Sequence, residues 1–304
     1  MMAERPSLYV ILGPTASGKS ALAMALARRH KGEILSVDSM QVYRDMDIGT
    51  AKPTAEEQAE IRHHLIDLLT PDAEFTVARF VELADAVIAG AAARGVPLIA
   101  TGGTPLYYKA LFEGLFEGPG ADDEIRRRLA EQTNEALHAR LLEVDPAAGA
   151  RIHVNDHKRL VRALEVFELT GQPISSFQTH WTSPQPRHAA TWIGLDWEKE
   201  AINRRINART KAMLSAGWVD EVRTLLAKYP TLSKTAGEAT GYRELIDHVQ
   251  GKISLDDAFE QIKIATRQLA RRQMKWFRRF PGVRWTSGDV PAESLVNQVV
   301  STGT

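Results

Sequence analysis

The chain has 304 residues, 44% hydrophobic and 25% charged, with 38 basic and 38 acidic side chains and no cysteine. The balanced charge gives no overall bias toward nucleic acid, so only a local asymmetry could carry one. The lack of cysteine excludes disulfides, thiolate catalysis, iron–sulfur clusters and Cys-ligated zinc, and it suits a reducing cytoplasm, the expected location. No apolar run reaches the ~18 residues of a membrane span. No leader is expected, because the apolar run in MMAERPSLYVILG flows straight into a glycine loop.

In chain order, SLYVIL is β-rich and SALAMALARRH has helical composition. Between them, GPTASGKS (Gly13, Pro14, Thr15, Ala16, Ser17, Gly18, Lys19, Ser20) completes the GxxxxGK[ST] pattern. Glycines at those spacings let backbone N–H groups turn inward around an anion, and the following helix adds its positive end. Lys19 supplies charge to an outer phosphate, and the Ser20 hydroxyl suits Mg²⁺. Such a loop reads phosphate rather than any particular nucleotide.

A second strand is predicted in EILSVDS, which sets Asp38 at its carboxyl end, facing the same crevice. Asp38 reads either as a loop or N-cap aspartate or as a general base beside the phosphate site. Gln41, Tyr43 and Arg44 follow within hydrogen-bonding or stacking reach, and DIGTAKPT reads as a loop. His63 and His64 lack partners at zinc spacing and read as structural. TVARFVELADAVIAGAAARG predicts a long helix and VPLIATGG a third buried strand, after which Thr104 can approach an anion closely. No acidic residue ends that strand where a Walker-B aspartate would stand, and no arginine-rich lid is visible, so a small-molecule kinase is not favoured.

After EGPGADDE the pattern becomes helical over 122–186, with SPQPRHAAT as a proline-bearing exit. TWIGLDW predicts a returning strand, residues 200–280 are mostly helical, and VRWTSG predicts a last strand. The expected fold is α/β: a P-loop NTPase-like parallel sheet core (1–121 and 187–304) with a helical insertion domain (122–186).

The strongest charge asymmetry is IKIATRQLARRQMKWFRRFPGVRW. It holds Lys263, Arg267, Arg271, Arg272, Lys275, Arg278, Arg279 and Arg284, no acid, and interleaved Trp276, Phe277, Phe280 and Trp285. Cations among stacking surfaces suit RNA; an amphipathic helix with a solvated basic face is the alternative. Arg151, His153, His157, Lys158, Arg159 and Arg162 make a second basic surface in the insertion.

Taken together, GPTASGKS, DSMQVYRDMDIGTAKP, HHLID, GGTPLYYKAL, NDHKRLVRALEVFELTG, GYRELI and TRQLARRQMKWFR resemble the tRNA dimethylallyltransferases (tRNA isopentenyltransferases), in order, over about residues 8–285. The phosphate loop alone is common to many families; DSMQVYR followed by IGTAKP is far more specific. The resemblance implies transfer of a dimethylallyl group from dimethylallyl diphosphate to N6 of the adenine immediately 3′ of a tRNA anticodon, on the anticodon stem-loop. It implies Asp38 as general base, Thr104 near the leaving diphosphate and the tRNA, Thr15 to Ser20 around the diphosphate, and Arg209 beside it, with Mg²⁺ as cofactor. By the same resemblance tRNA is met by Asp38, Ser39, Met40, Gln41 and Arg126, and by Arg162, Ala163, Leu164, Glu165 and Val166. Two further runs are implied against tRNA: Glu238, Ala239, Thr240, Gly241, Tyr242 and Arg243, then Arg271, Arg272, Gln273, Met274, Lys275, Trp276, Phe277 and Arg278.

The chain departs from the pattern at Asp45, where glycine is common, at Thr240, where an aliphatic residue is usual, at Arg271, where lysine is frequent, and at Glu238, which begins a run that is basic in some relatives. No Cys/His tail is present, as in the compact bacterial form, and a monomer is expected because tRNA would fill the cleft. A P-loop small-molecule kinase and an adenylate isopentenyltransferase are the alternatives; the basic aromatic stretch and the insertion favour tRNA over a free nucleotide.

Overall fold

The computed structural model describes residues 8–114, 118–177 and 186–301. The first residues of EGPGADDE and SPQPRHAAT lie outside the described residues. The chain divides into two compact units, one running through Leu111 and resuming at His188, the other Phe112–Arg187.

The first unit opens with β1 (Leu8–Leu12), α1 (Lys19–His30), β2 (Glu33–Ser36), α2 (Ala55–Glu60), β3 (His63–His64), α3 (Val77–Ala93), β4 (Leu98–Thr101) and α4 (Pro105–Glu113). The second holds α5 (Asp123–Ala130), α6 (Asn134–Val144), α7 (Pro146–Arg151), α8 (His157–Thr170) and α9 (Ile174–Phe177). The chain then returns as β5 (Thr191–Asp196), α10 (Lys199–Ser215), α11 (Trp218–Lys228), α12 (Lys234–Gly237), α13 (Tyr242–Val249), α14 (Leu255–Phe277), β6 (Arg284–Ser287) and α15 (Ala292–Ser301).

All six strands run parallel in the order β3-β2-β4-β1-β5-β6. Every residue of β1 is buried, the unbroken apolar run expected of a strand covered on both faces. Tyr9 and Ile11 of β1, Ile99, Ile193 and Leu195 pack with Leu22 and Leu26 of α1 and Leu295 and Val296 of α15. The histidine pair supplies the strand that the sequence pattern does not announce: His63 and His64 pair with Ile34 and Leu35. Two residues are too few to show an alternating period. Both rings are tied locally, His64 Nε2 to Glu33 Oε2 at 2.7 Å and His63 Nδ1 to the Ile61 carbonyl at 2.8 Å.

The second unit has its own core, built on Leu129, Leu137, Leu141, Leu160, Leu164 and Val166. Glu165 is fully buried inside it and is neutralised by Arg126 (2.9 Å) and Arg162 (2.6 Å) while accepting the Asp122 N–H (2.8 Å). A buried carboxylate persists only with such partners. The run Arg162 to Val166, expected against tRNA, is therefore largely internal. Ala163, Leu164, Glu165 and Val166 are core side chains, and Arg126 and Arg162 have an internal carboxylate to hold.

In the first unit the segments that follow β2 and β4 are laced together. Val37 N–H donates to the Thr101 carbonyl (2.8 Å), and Thr104 N–H returns to the Val37 carbonyl (3.2 Å). A Cβ on Gly102 would stand 2.1 Å from that same Val37 carbonyl oxygen, so only glycine allows the approach. Because the obstacle is backbone, Gly102→Ala should cost about 3 kcal/mol, the upper range of overpacking, read as a lower urea midpoint. A midpoint unchanged from wild type would show that the two segments separate freely.

Candidate active site

The lacing sets Asp38 and Thr104 side by side. Asp38 Oδ1 accepts the Met40 N–H at 2.8 Å, and Oδ2 accepts the Gly103 N–H at 3.2 Å. Thr104 Oγ1 accepts the Ser39 N–H at 2.9 Å and donates to Ser39 Oγ at 3.2 Å. Gln41 is fixed by Ser36 Oγ, which donates to its Oε1 (2.8 Å), and by the Ala51 carbonyl, which its Nε2 reaches at 3.2 Å. Tyr43 departs from the expected role: its ring is fully buried and so offers no stacking face. Arg44 is exposed and donates to the Asp67 and Leu68 carbonyls.

The glycine loop joins β1 to α1, one strand over from the lacing. Ala16 and Gly18 take positive φ, +64° and +93°, which turns the loop tightly before the helix. Lys19 is buried and donates to the Pro14 carbonyl at 2.8 Å. Two side chains that the sequence does not single out hold the loop from outside. Trp197 Nε1 donates to the Ser17 carbonyl (3.0 Å) and Arg205 Nε to the Ala16 carbonyl (2.8 Å), with the guanidinium 4.5 Å from the indole centre. The one signal for Arg205 is its spacing four residues before Arg209, which puts both on one face of α10.

A cavity of about 320 Å³ opens at these strand ends. Its polar wall includes Thr15, Lys19, Ser20, Asp38, Thr104 and Arg209, with Ser39, Met40, Gln41, Glu238, Ala239, Thr240 and Gln273 around them. Ala23, Met24, Ile34 and Leu269 add apolar surface. Thr101 Oγ1, also on the wall, is buried and has no hydrogen-bond partner among the described residues. A wider depression of about 1130 Å³, lined by Ala16 to Ser20, the 47–58 segment, Arg205 and Met213, shares Lys19, Ser20 and Arg209 with it. The two therefore adjoin at the loop's lysine.

The charges there interact. Burial, then the nearby Arg209, lowers the Lys19 ammonium to about 7, while Asp38 acts in the opposite direction. Burial likewise lowers the Arg209 guanidinium, again opposed by Asp38. One carboxylate thus faces two desolvated cations, an arrangement suited to an anionic ligand with a reacting group beside it. Among the described residues no group of three His, Asp or Glu side chains could hold a metal. Ser20 Oγ on the cavity wall is a hard oxygen donor of the kind Mg²⁺ takes together with water and phosphate oxygens.

The segment 45–52 is held by residues absent from the sequence reading. Glu221 of α11 accepts the N–H groups of Asp47 (3.0 Å) and Ile48 (2.7 Å) and the Tyr242 hydroxyl (2.6 Å). Asp45 takes φ +63°, and it binds Lys228 and Tyr229 at 2.7 Å each. Aspartate tolerates that left-handed backbone better than most side chains. Ala239, Gly241 and Tyr242 are buried, which leaves Glu238, Thr240 and Arg243 as the members of that run able to meet an external partner.

On α14, with Arg278 as its C-cap, Arg271, Arg272, Lys275 and Arg278 are exposed, Met274 and Trp276 partly so, and Gln273 and Phe277 are buried. Arg278 pairs with Asp196 at 2.8 Å. The other three exposed cations have no ion-pair partner among the described residues. The α14 stretch thus has the basic solvent face and the buried inner face of an amphipathic helix. Gln273 and Phe277, expected against tRNA, belong to the inner face.

A six-stranded parallel sheet carrying a GxxxxGK[ST] loop and a carboxylate at neighbouring strand ends defines an α/β protein with a phosphate-type loop beside a candidate base. Comparison with known proteins narrows this: residues 41–280 match the model of the IPP transferase family, and the chain belongs to that family. It is 48% identical over 303 residues to the tRNA dimethylallyltransferase of Geobacter metallireducens, covering 98% of this chain and 97% of that one. A second relative of the same name, from Anaeromyxobacter dehalogenans, is 46% identical over 96% of this chain and 98% of its own. Among solved structures, the full-length tRNA isopentenylpyrophosphate transferase of Bacillus halodurans matches with TM-score 0.72 and 36% identity, covering 98% and 97% of the two chains. A eukaryotic dimethylallyltransferase described as acting on tRNA matches with TM-score 0.80 and 26% identity, over 98% of this chain and 80% of that one.

Proposed function

We infer that this enzyme is a tRNA prenyltransferase: it moves a dimethylallyl group from dimethylallyl diphosphate to the exocyclic N6 of the adenine 3′ of the anticodon. The observation that carries this reading is the meeting of Lys19, Arg209, Asp38 and Thr104 at one cavity in a chain nearly co-extensive with tRNA dimethylallyltransferases.

An adenine amine is a weak nucleophile, since its lone pair is delocalised into the ring, and it sits in a stacked loop. Unstacking it costs a few kcal/mol, which basic and stacking contacts to the RNA offset. N6 attacks the allylic carbon, the carbon–oxygen bond breaks, the diphosphate departs, and Asp38 accepts the proton lost from nitrogen. Both Asp38 oxygens already accept a backbone N–H, which aims the carboxylate, and a carboxylate has acceptor capacity left for a further proton donor. Negative charge gathers on the leaving diphosphate, where Lys19, Arg209 and the loop N–H groups stabilise it; Thr104 lies beside both groups. Mg²⁺ fits the Ser20 hydroxyl and would supply further charge compensation to the diphosphate. The loop thus serves a leaving group rather than a transferred phosphoryl group.

The depressed Lys19 gives this a signature. A polyanion favours its charged form, so binding above about 7 draws in a proton. Inorganic diphosphate should therefore bind more weakly as pH rises from near 7 to about 9. Calorimetry in buffers of different ionisation enthalpy should read a proton uptake that Lys19→Met removes. Equal uptake by wild type and variant would place the titrating group elsewhere. The reaction itself is tested with labelled dimethylallyl diphosphate and unmodified tRNA: label should enter the RNA. Label on free AMP alone, or consumption of ATP instead, would overturn the reading.

A further inference from the structure

Gln273 is a buried polar side chain, 3% exposed, in the basic C-terminal half of α14. Its Oε1 accepts the Thr15 N–H of the glycine loop at 2.8 Å, and its Nε2 donates to the Gly103 carbonyl at 2.7 Å. Thr15 N can only donate and Gly103 O can only accept, so the partners themselves decide which way the amide lies. The chain of bonds continues, because the Gly103 N–H donates to Asp38 Oδ2. One amide therefore spans the gap between the loop that faces the diphosphate and the segment that aims the carboxylate. It also occupies the Thr15 N–H, which thereby points at Gln273 rather than at an anion. Its helix neighbours Arg272 and Lys275 lie on the exposed face.

We propose that Gln273 is a positioning residue for the transfer reaction and not an RNA contact: it locks the phosphate loop and the Asp38 segment in register, so that leaving group and base act at one distance. The inference rests on the prenyl-transfer reading above. Linked hydrogen bonds reinforce one another in a water-poor setting, and small misplacement of reacting groups is costly in rate. The lock is carried on the helix whose outer face is basic, so the surface offered to tRNA and the register of the two active-site segments share one rigid element.

The test compares wild type, Gln273→Ala, Gln273→Glu and Gly103→Ala for single-turnover transfer and for tRNA affinity. Gln273→Ala should slow transfer about ten- to hundredfold while tRNA affinity stays within about twofold, the value expected when no phosphate contact is lost. Gly103→Ala should slow transfer in the same way, because its Cβ would stand 2.9 Å from Gln273 Nε2 and 3.1 Å from Asp38 Oδ2.

Gln273→Glu gives the discriminating readout. As a carboxylate it accepts from Thr15 but cannot donate to Gly103. As a carboxylic acid it does both. Burial and Asp38 disfavour its charged form, while Lys19 and Arg209 on the same cavity wall favour it. In either case the acid form fills as pH falls, so its rate relative to wild type should climb from about pH 8 to about pH 6. A variant that merely misfolds is not restored by mild acid. A flat Gln273→Glu to wild-type ratio across that range overturns the proposal. So does a tRNA affinity loss of tenfold or more in Gln273→Ala with unchanged turnover of bound tRNA, which would make Gln273 an RNA contact. Failure of wild type to label tRNA would instead overturn the prenyl-transfer reading, so the two failures are distinguishable.

Discussion

Asp38→Ala should reduce dimethylallyl transfer by about 10² to 10⁴-fold, the range associated with loss of a positioned general base, while tRNA binding remains largely intact. The substitution takes the proton acceptor from the cavity and leaves the Met40 and Gly103 N–H groups without their carboxylate. A second consequence separates this from simple loss of fold. Asp38 raises both Lys19 and Arg209, so removing it should push the Lys19 ammonium below its present value of about 7. Diphosphate binding by the variant should then weaken at lower pH than in wild type. Asp38→Asn, which removes the charge and keeps the size, should share both effects. If Asp38→Ala lost tRNA binding but turned over bound tRNA normally, the base assignment would be wrong.

The second large effect concerns the exposed face of α14. Arg271, Arg272 and Lys275 have no ion-pair partner among the described residues, whereas Arg278 is engaged with Asp196. Replacing the first three with alanine should weaken tRNA binding by roughly ten- to a hundredfold at low salt and lower the slope of log affinity against log salt by about two, as expected for three lost phosphate contacts to a single-stranded loop. Arg278 is the less clean probe, because its removal also strands Asp196. Measuring affinity at several salt concentrations decides the matter, and an unchanged slope would mean that this face is not an RNA surface.

Much of this was legible in the sequence because the signals are local. GPTASGKS needs a strand before it and a helix after it, and Leu8–Leu12 and Lys19–His30 supply them. Asp38 and Thr104 could be paired in advance because parallel strands deliver their carboxyl ends to one side. What could not be read depends on contacts remote in sequence. Glu221 meets the 47–49 segment from more than 170 residues away, and Trp197 meets Ser17 at a similar separation. The runs expected against tRNA show the other limit: a motif gives consecutive residues, but a helix turns them to different sides. Ala163, Leu164 and Val166 are core, Glu165 is the carboxylate that Arg126 and Arg162 neutralise, and Gln273 faces two backbone partners rather than solvent.

The central claim is that the glycine loop holds a leaving diphosphate while Asp38 deprotonates an RNA amine. The most direct measurement is transfer from labelled dimethylallyl diphosphate to unmodified tRNA, followed by nucleoside analysis of the product, with wild type and Asp38→Ala in parallel. The account predicts one labelled N6-(dimethylallyl)adenosine per acceptor tRNA and one diphosphate released with wild type, and almost none with the variant. Label confined to free nucleotide, or undiminished transfer by Asp38→Ala, would contradict it.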